Sequence, residues 1–224
     1  HHRKIKLAEH IQAHLGKHNL SDFNEAGMKI VSVAQIFVHP EWNITNTNFD
    51  ADIAVIVLSE LVEFSDRIQP VCLPNQGNSY DVDDGSIVAW FMKYQPHKHF
   101  SSHSTVSHHI QIPFRHAAFC YPRFPKLAEL SSHRMFCGGY ENQFKGSCTG
   151  DSGSGFYTSA SPSSPFAING IVSTSLFDHN QICDANKITL YTNVQWFVDW
   201  IKSKMEETKE VQWKTVDLNC FEEE

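Results

Sequence analysis

The chain has 224 residues, 41% of them hydrophobic and 19% charged, with a formal net charge of −7. That length supports a real core, in one large domain or two small ones. The acidic balance excludes a phosphate-tracking nucleic-acid binder, which needs a basic face, and no run of 18 or more apolar residues reads as a membrane span.

At the start, His1-His2-Arg3-Lys4 leads straight into folded-looking sequence, with no secretory leader. Asn19-Leu20-Ser21 and Asn43-Ile44-Thr45 are sequons, compatible with glycosylation, although such triplets also arise by chance. Short apolar runs follow at residues 29–38, 52–58, 86–90 and 166–173. Each is rich in β-branched residues and bounded by Gly, Pro, Asn or Asp, the pattern of strand, turn, strand. Residues 71–77, Val-Cys-Leu-Pro-Asn-Gln-Gly, break that pattern and read as a linker between two β units. Fourteen histidines are scattered, as at His97, His99, His103, His108 and His109, without zinc spacing, which reads as a solvated loop. Helical period is clear only near the end, through Val194, Trp196, Phe197, Trp200 and Ile201, with a charged continuation to about Lys209. Residues 204–224 are a polar tail to which no fold is assigned. The fold class is all-β, barrel or sandwich, with one C-terminal α-helix.

Six cysteines stand at 72, 120, 137, 148, 183 and 220, none in a Cys-x-x-Cys pair. That disfavours zinc binding and thioredoxin-like redox chemistry. Together with the sequons, it favours an oxidising, extracellular setting.

The run Gly146-Ser147-Cys148-Thr149-Gly150-Asp151-Ser152-Gly153-Ser154-Gly155 carries the most chemistry. Glycines on both sides of Ser152 allow a sharp turn that exposes its hydroxyl. They also free the amides of Gly150 and Ser152 to face one concavity able to hold an oxyanion. Four residues alone could equally be a Gly-rich turn; the flanking sequence decides.

With that sequence added, the chain resembles a chymotrypsin/trypsin-like serine endopeptidase from about residue 16 to about residue 203. The resemblance rests on Phe49-Asp50-Ala51-Asp52-Ile53-Ala54-Val55, Ile68-Gln69-Pro70-Val71-Cys72-Leu73-Pro74 and Met135-Phe136-Cys137-Gly138-Gly139-Tyr140. The serine motif, Gly170-Ile171-Val172-Ser173, and Leu190-Tyr191-Thr192-Asn193-Val194 before Trp200-Ile201 complete it. It implies two antiparallel Greek-key β-barrels. Residues 1–71 would be a remnant of a truncated first barrel, and residues 72–203 the second barrel with its helix.

The resemblance also assigns roles. Ser152 matches the nucleophile, Asp52 the buried carboxylate that orients a catalytic histidine, and the amides of Gly150 and Ser152 the oxyanion hole. Asp151 matches the carboxylate that pairs with a new N-terminal amine after zymogen cleavage. Gly146 falls at the base of the substrate pocket, where trypsin-like members hold an aspartate, with Ser173, Ser175 and Thr189 on its walls. The expected preference is therefore small-to-medium apolar rather than basic. Cys120 with Cys137 and Cys148 with Cys183 match two second-barrel disulfides. Cys72 matches a cysteine that ties the catalytic chain to an upstream regulatory chain, and Cys220 has no common counterpart, its pairing with Cys72 or with another chain both being open. Lys17 takes the place of an acidic residue of calcium-binding members, so neither a metal nor a cofactor is expected.

The sequence departs from the family in two places, the first being that the Ile-Val-Gly-Gly-type activated N-terminus has no match. A buried Asp52 needs a hydrogen-bonding partner, and the family's histidine, in an Ala-Ala-His-Cys segment, has no match before it. His39-Pro40-Glu41-Trp42 reads as an exposed loop, and His14 and His18 flank a strand end. The chain thus reads as an N-terminally incomplete catalytic domain acting on protein or peptide substrates. The alternative is a non-catalytic homologue serving as a binding or cofactor module.

Overall fold

Alternation sets which face of each strand is buried. In Asp84–Ala89, Gly85, Ile87 and Ala89 point inward, with polar or exposed side chains between them, as a half-buried strand requires. The computed structural model describes residues 6–43, 45–74, 84–93, 102–141, 146–147, 150–161, 163–176 and 188–208. The strands are β1 (Gln12–Leu15), β2 (Lys29–Val38), β3 (Ala54–Leu58), β4 (Asp84–Ala89), β5 (Met92–Lys93), β6 (Ser102–His103), β7 (His108–Arg115), β8 (Met135–Gly138), β9 (Gly155–Thr158), β10 (Ala167–Ser175) and β11 (Thr189–Asn193). The helices are α1 (Ala117–Arg123), α2 (Pro125–Leu130) and α3 (Val198–Glu207).

Two β units form. Strands β1, β2 and β3 make an antiparallel sheet in that order, while β10, β11, β8, β7, β4 and β9 close into a barrel. The barrel interior is aromatic. Phe136 stacks on Tyr191 at 5.1 Å between ring centroids, and Phe156 meets Phe136 and Tyr191 edge-on at 5.2 and 5.3 Å. Ile87, Ile112 and Val172 fill the space around them, so the barrel is a packed core. The 71–77 stretch docks through its second residue: Cys72 bridges Ala167 in parallel, Cys72 N–H donating to Phe166 O and Ile168 N–H to Cys72 O, each at 3.0 Å.

The expected all-β architecture with a C-terminal helix holds. Asn193 accepts from the Gln195 amide at 3.1 Å and starts a 3₁₀ turn, Val194–Phe197, that runs into α3. Two elements differ from the sequence reading, which placed helix only near the end. Helices α1 and α2 lie between β7 and β8, cover Leu127, and are fastened by the Cys120–Cys137 disulfide. Cys148, Cys183 and Cys220 lie outside the described residues; Cys72 is itself disulfide-bonded.

Candidate active site

The loop from the end of β2 to the start of β3 delivers Asp52. Ala51 has φ +54°, a left-handed conformation, and is fully buried. The Ile53 amide then reaches back to Ala51 O at 2.8 Å, a three-residue turn centred on Asp52. Ala51 and Ile53 pack on Phe197 at the start of the C-terminal helical segment, with Trp200 and Ile201 beside them.

The sequence reading left the Asp52 carboxylate without a partner, and the structure corrects this. Ser173 Oγ donates to Asp52 Oδ2 at 2.7 Å, and Thr192 Oγ1 donates to Asp52 O at 2.9 Å. Ser173 was expected only on the pocket wall. Its hydroxyl has a further task, supporting Asp52 across 121 residues of sequence.

The serine loop is stitched to the same strand. Gly153 N–H donates to Val172 O at 2.9 Å, and Val172 N–H donates to Ser154 O at 2.8 Å. Gly150 and Gly153 have φ of +99° and +91°, left-handed values that a side chain disfavours. Ser152 between them is exposed. Strand β10 therefore holds the serine loop through Val172 and Asp52 through the next residue, Ser173. Asp151 is 2% exposed. Burial first, and the nearby Asp151 charge next among the raising influences, push the Tyr191 phenol well above its ordinary range.

Ser175 and Thr189, both expected on the pocket walls, meet at their hydroxyls, and Ser147 joins them. Ser147 Oγ donates to Thr189 Oγ1 at 2.9 Å, and Ser175 Oγ lies 2.9 Å from the same atom. Ser175 and Thr189 are cross-strand partners on β10 and β11, so their side chains share one face and bridge the two strands. Gly146 is buried next to Ser147.

His39 is not an exposed loop residue as read from the sequence. It is 8% exposed, its ring set edge-on to Phe197 and Trp200 at 5.0 and 4.7 Å, with Nδ1 accepting from the Glu41 amide at 3.2 Å. Burial lowers its pKa, and the ring acts as a core aromatic. The loop headed by Lys17 closes on that residue's own ammonium, which donates to Asp22 O and sits 3.7 Å from Glu25 Oε2. Glu25 also accepts from the amides of Asn19 and His18 at 2.9 and 3.0 Å, and these bonds hold its pKa below the usual carboxylate range. Among the described residues no cluster of three His, Cys, Asp or Glu side chains could hold a metal.

The fold and this arrangement define a trypsin-like serine protease domain. The family model described as Trypsin matches residues 3–201, and the chain belongs to that family. It is 29% identical to serine protease gd of Drosophila melanogaster over 217 residues, covering 84% of this chain and 40% of that protein. It is 32% identical to chymotrypsin-C of Bos taurus over 197 residues, covering 86% of this chain and 68% of the relative. With complement C1s subcomponent of Bos taurus the identity is 26% over 195 residues, 80% of this chain and 26% of that protein. The chain thus spans less than half the length of gd and of C1s.

Proposed function

We propose that this chain supplies the catalytic machinery of a serine endopeptidase. Ser152 attacks the scissile carbonyl to form an acyl-enzyme, which water then hydrolyses. The amides of Gly150 and Ser152 stabilise the oxyanion, and Asp52 orients the histidine that takes the serine proton. Asp151 receives a new N-terminal amine on zymogen activation. The observation that carries this reading is the Ser173–Asp52 hydrogen bond at 2.7 Å, one residue from the Val172 that anchors the serine loop. Adjacent residues of one strand thus hold the candidate carboxylate and the loop of the candidate nucleophile, which is what a shared site requires.

A serine hydroxyl stays protonated at neutral pH without a base, and no histidine here stands in an Ala-Ala-His-Cys segment. These 224 residues alone are therefore expected not to turn over peptides. The uncharged Gly146 and the Ser147–Thr189–Ser175 hydroxyls favour small-to-medium apolar residues at the cleavage site. Discrimination of that kind is graded, about 1–3 kcal/mol.

Protein substrates in an extracellular cascade fit the disulfides and the similarity to proteins named for complement and coagulation. A tie from Cys72 to an upstream chain competes with the disulfide that residue already makes. Of the two sequons, Asn43 is exposed, whereas Asn19 is half-buried and bridged to Val106; a glycan belongs on Asn43. The test is a peptide panel varied at the cleaved residue, assayed on the full natural chain. The expected result is hydrolysis after Ala, Val or Leu that disappears in Ser152→Ala. Cleavage after Arg far faster than after these residues overturns the specificity, and turnover that survives Ser152→Ala overturns the function.

A further inference from the structure

One side chain outside the cleft grips both ends of the loop that carries Asp52. Arg134, just before β8, donates from Nε to Asp50 Oδ1 at 3.0 Å and from Nη2 to Asp50 Oδ2 at 2.6 Å. Its Nη1 lies 2.5 Å from Glu41 Oε2, at the other end of the same loop. Ser132 Oγ adds a third hydrogen bond to the Asp50 carboxylate, donating to Oδ1 at 2.6 Å. The guanidinium lies over the Phe197 ring, 4.9 Å from its centroid, and the side chain is 14% exposed. The fork matches a carboxylate in both position and direction, which an ammonium cannot do.

The residue between Asp50 and Asp52 explains what the clamp is for. Ala51 sits at φ +54°, where its Cβ crowds the following carbonyl. A conformation of that kind persists only when its surroundings over-determine it. On one side Asp50 is fixed to Arg134 and Ser132. On the other, Ile53 is buried against Phe197 and its carbonyl accepts from the His39 amide at 3.1 Å. If the Asp50 end is released, Ala51 relaxes toward an ordinary conformation and the next carboxylate turns away from Ser173.

We propose that Arg134 is a positioning residue for Asp52, acting through Asp50 and the left-handed turn at Ala51. The proposal rests on the role of Asp52 given above. Arg134 touches neither Asp52 nor Ser152 in the contacts described, so its effect is on aim. Glu41 is 60% exposed at its side chain, and its ion pair contributes less than the half-buried Asp50 fork.

The test compares amide hydrogen exchange and steady-state kinetics in the full natural chain with those of its Arg134→Ala, Arg134→Lys and Asp50→Asn variants. Expected in Arg134→Ala is exchange at the Ile53 amide at least tenfold faster, with the Gly153 and Val172 amides unchanged. Its kcat falls at least tenfold with KM within twofold, and Arg134→Lys recovers part of both. Asp50→Asn keeps the side-chain size and gives the same pattern, so it decides the matter if Arg134→Ala does not fold. Unchanged protection at Ile53 overturns the proposal, as does a loss shared equally by Gly153 and Val172. If the unsubstituted chain hydrolyses nothing, the protease reading fails, while the exchange pattern still decides whether Arg134 sets the turn at Asp52.

Discussion

The two β units solve the same packing problem differently. The barrel closes on itself, so each of its strands is paired on both sides and its aromatic interior is sealed. The three-stranded sheet is open: among the described residues, β1 and β3 pair only with β2. Its surroundings leave Ile30, Ile56, Leu61 and Phe64 between 44% and 50% exposed. What steadies its active-site end is the barrel side, through Arg134, Ser173, Thr192 and the packing of Ala51 and Ile53 on Phe197. The barrel thus carries the candidate pocket residues and the serine loop, and also the supports that hold a carboxylate borne by the other unit. Half of the candidate site is built where folding is self-sufficient, and half where it is borrowed.

The largest test of that contrast is core truncation. Phe156→Ala, at a residue 1% exposed among three other aromatic rings, is expected to cost about 3–5 kcal/mol. Ile56→Ala, in the open sheet at 49% exposure, should cost less than about 1 kcal/mol. Urea unfolding followed by tryptophan fluorescence compares them, and equal costs would erase the distinction. Next comes the disulfide that fastens α1 to β8. Replacing Cys120 and Cys137 together by Ser opens a link across 17 residues and should lower stability by about 3 kcal/mol.

Specificity should belong to the barrel alone. Ser175→Gly with Thr189→Gly removes the hydroxyl bridge and is expected to shift preference toward larger apolar residues by roughly 10–100-fold. Hydrogen exchange in the β1–β3 sheet should not change; a sheet that loosens with the pocket would show the two units to be one. The smallest effect is on pH. Asp50 has its carboxyl held below the usual range, first by the Arg134 hydrogen bonds, and Glu25 is lowered first by the Asn19 amide. A depressed carboxylate contributes stability above its unfolded value, near pH 4, and loses it as pH falls through the lower folded value. Thermal unfolding should therefore show Tm dropping below about pH 4, with a shallower slope in Asp50→Asn.

Much of this was legible in the residues. Residues 29–38 announce β2 by an apolar, β-branched run bounded by turn residues, and the glycines around Ser152 announce a turn that their positive φ values bear out. Helices α1 and α2 were not legible, because they are seven and six residues long, the first contains Pro122, and both lack a side-chain cap at the start. Tertiary packing on Leu127 and a disulfide hold what local propensity does not. The role of Ser173 was hidden for a different reason: its partner lies 121 residues away and no local pattern encodes the pair. Arg134 and Asp50, 84 residues apart, are hidden in the same way. His39 misled because a His-Pro-Glu run looks solvated, while aromatic contacts with Phe197 and Trp200 take its ring inside.

Labelling of Ser152 tests most directly whether the borrowed carboxylate and the barrel's serine work as one site. The full natural chain, treated with a fluorophosphonate and digested for mass spectrometry, should carry a single adduct on Ser152. In Asp52→Ala that adduct should form at least about 100-fold more slowly, since the orienting carboxylate is gone. No adduct on Ser152, or one that forms as fast without Asp52, would contradict it.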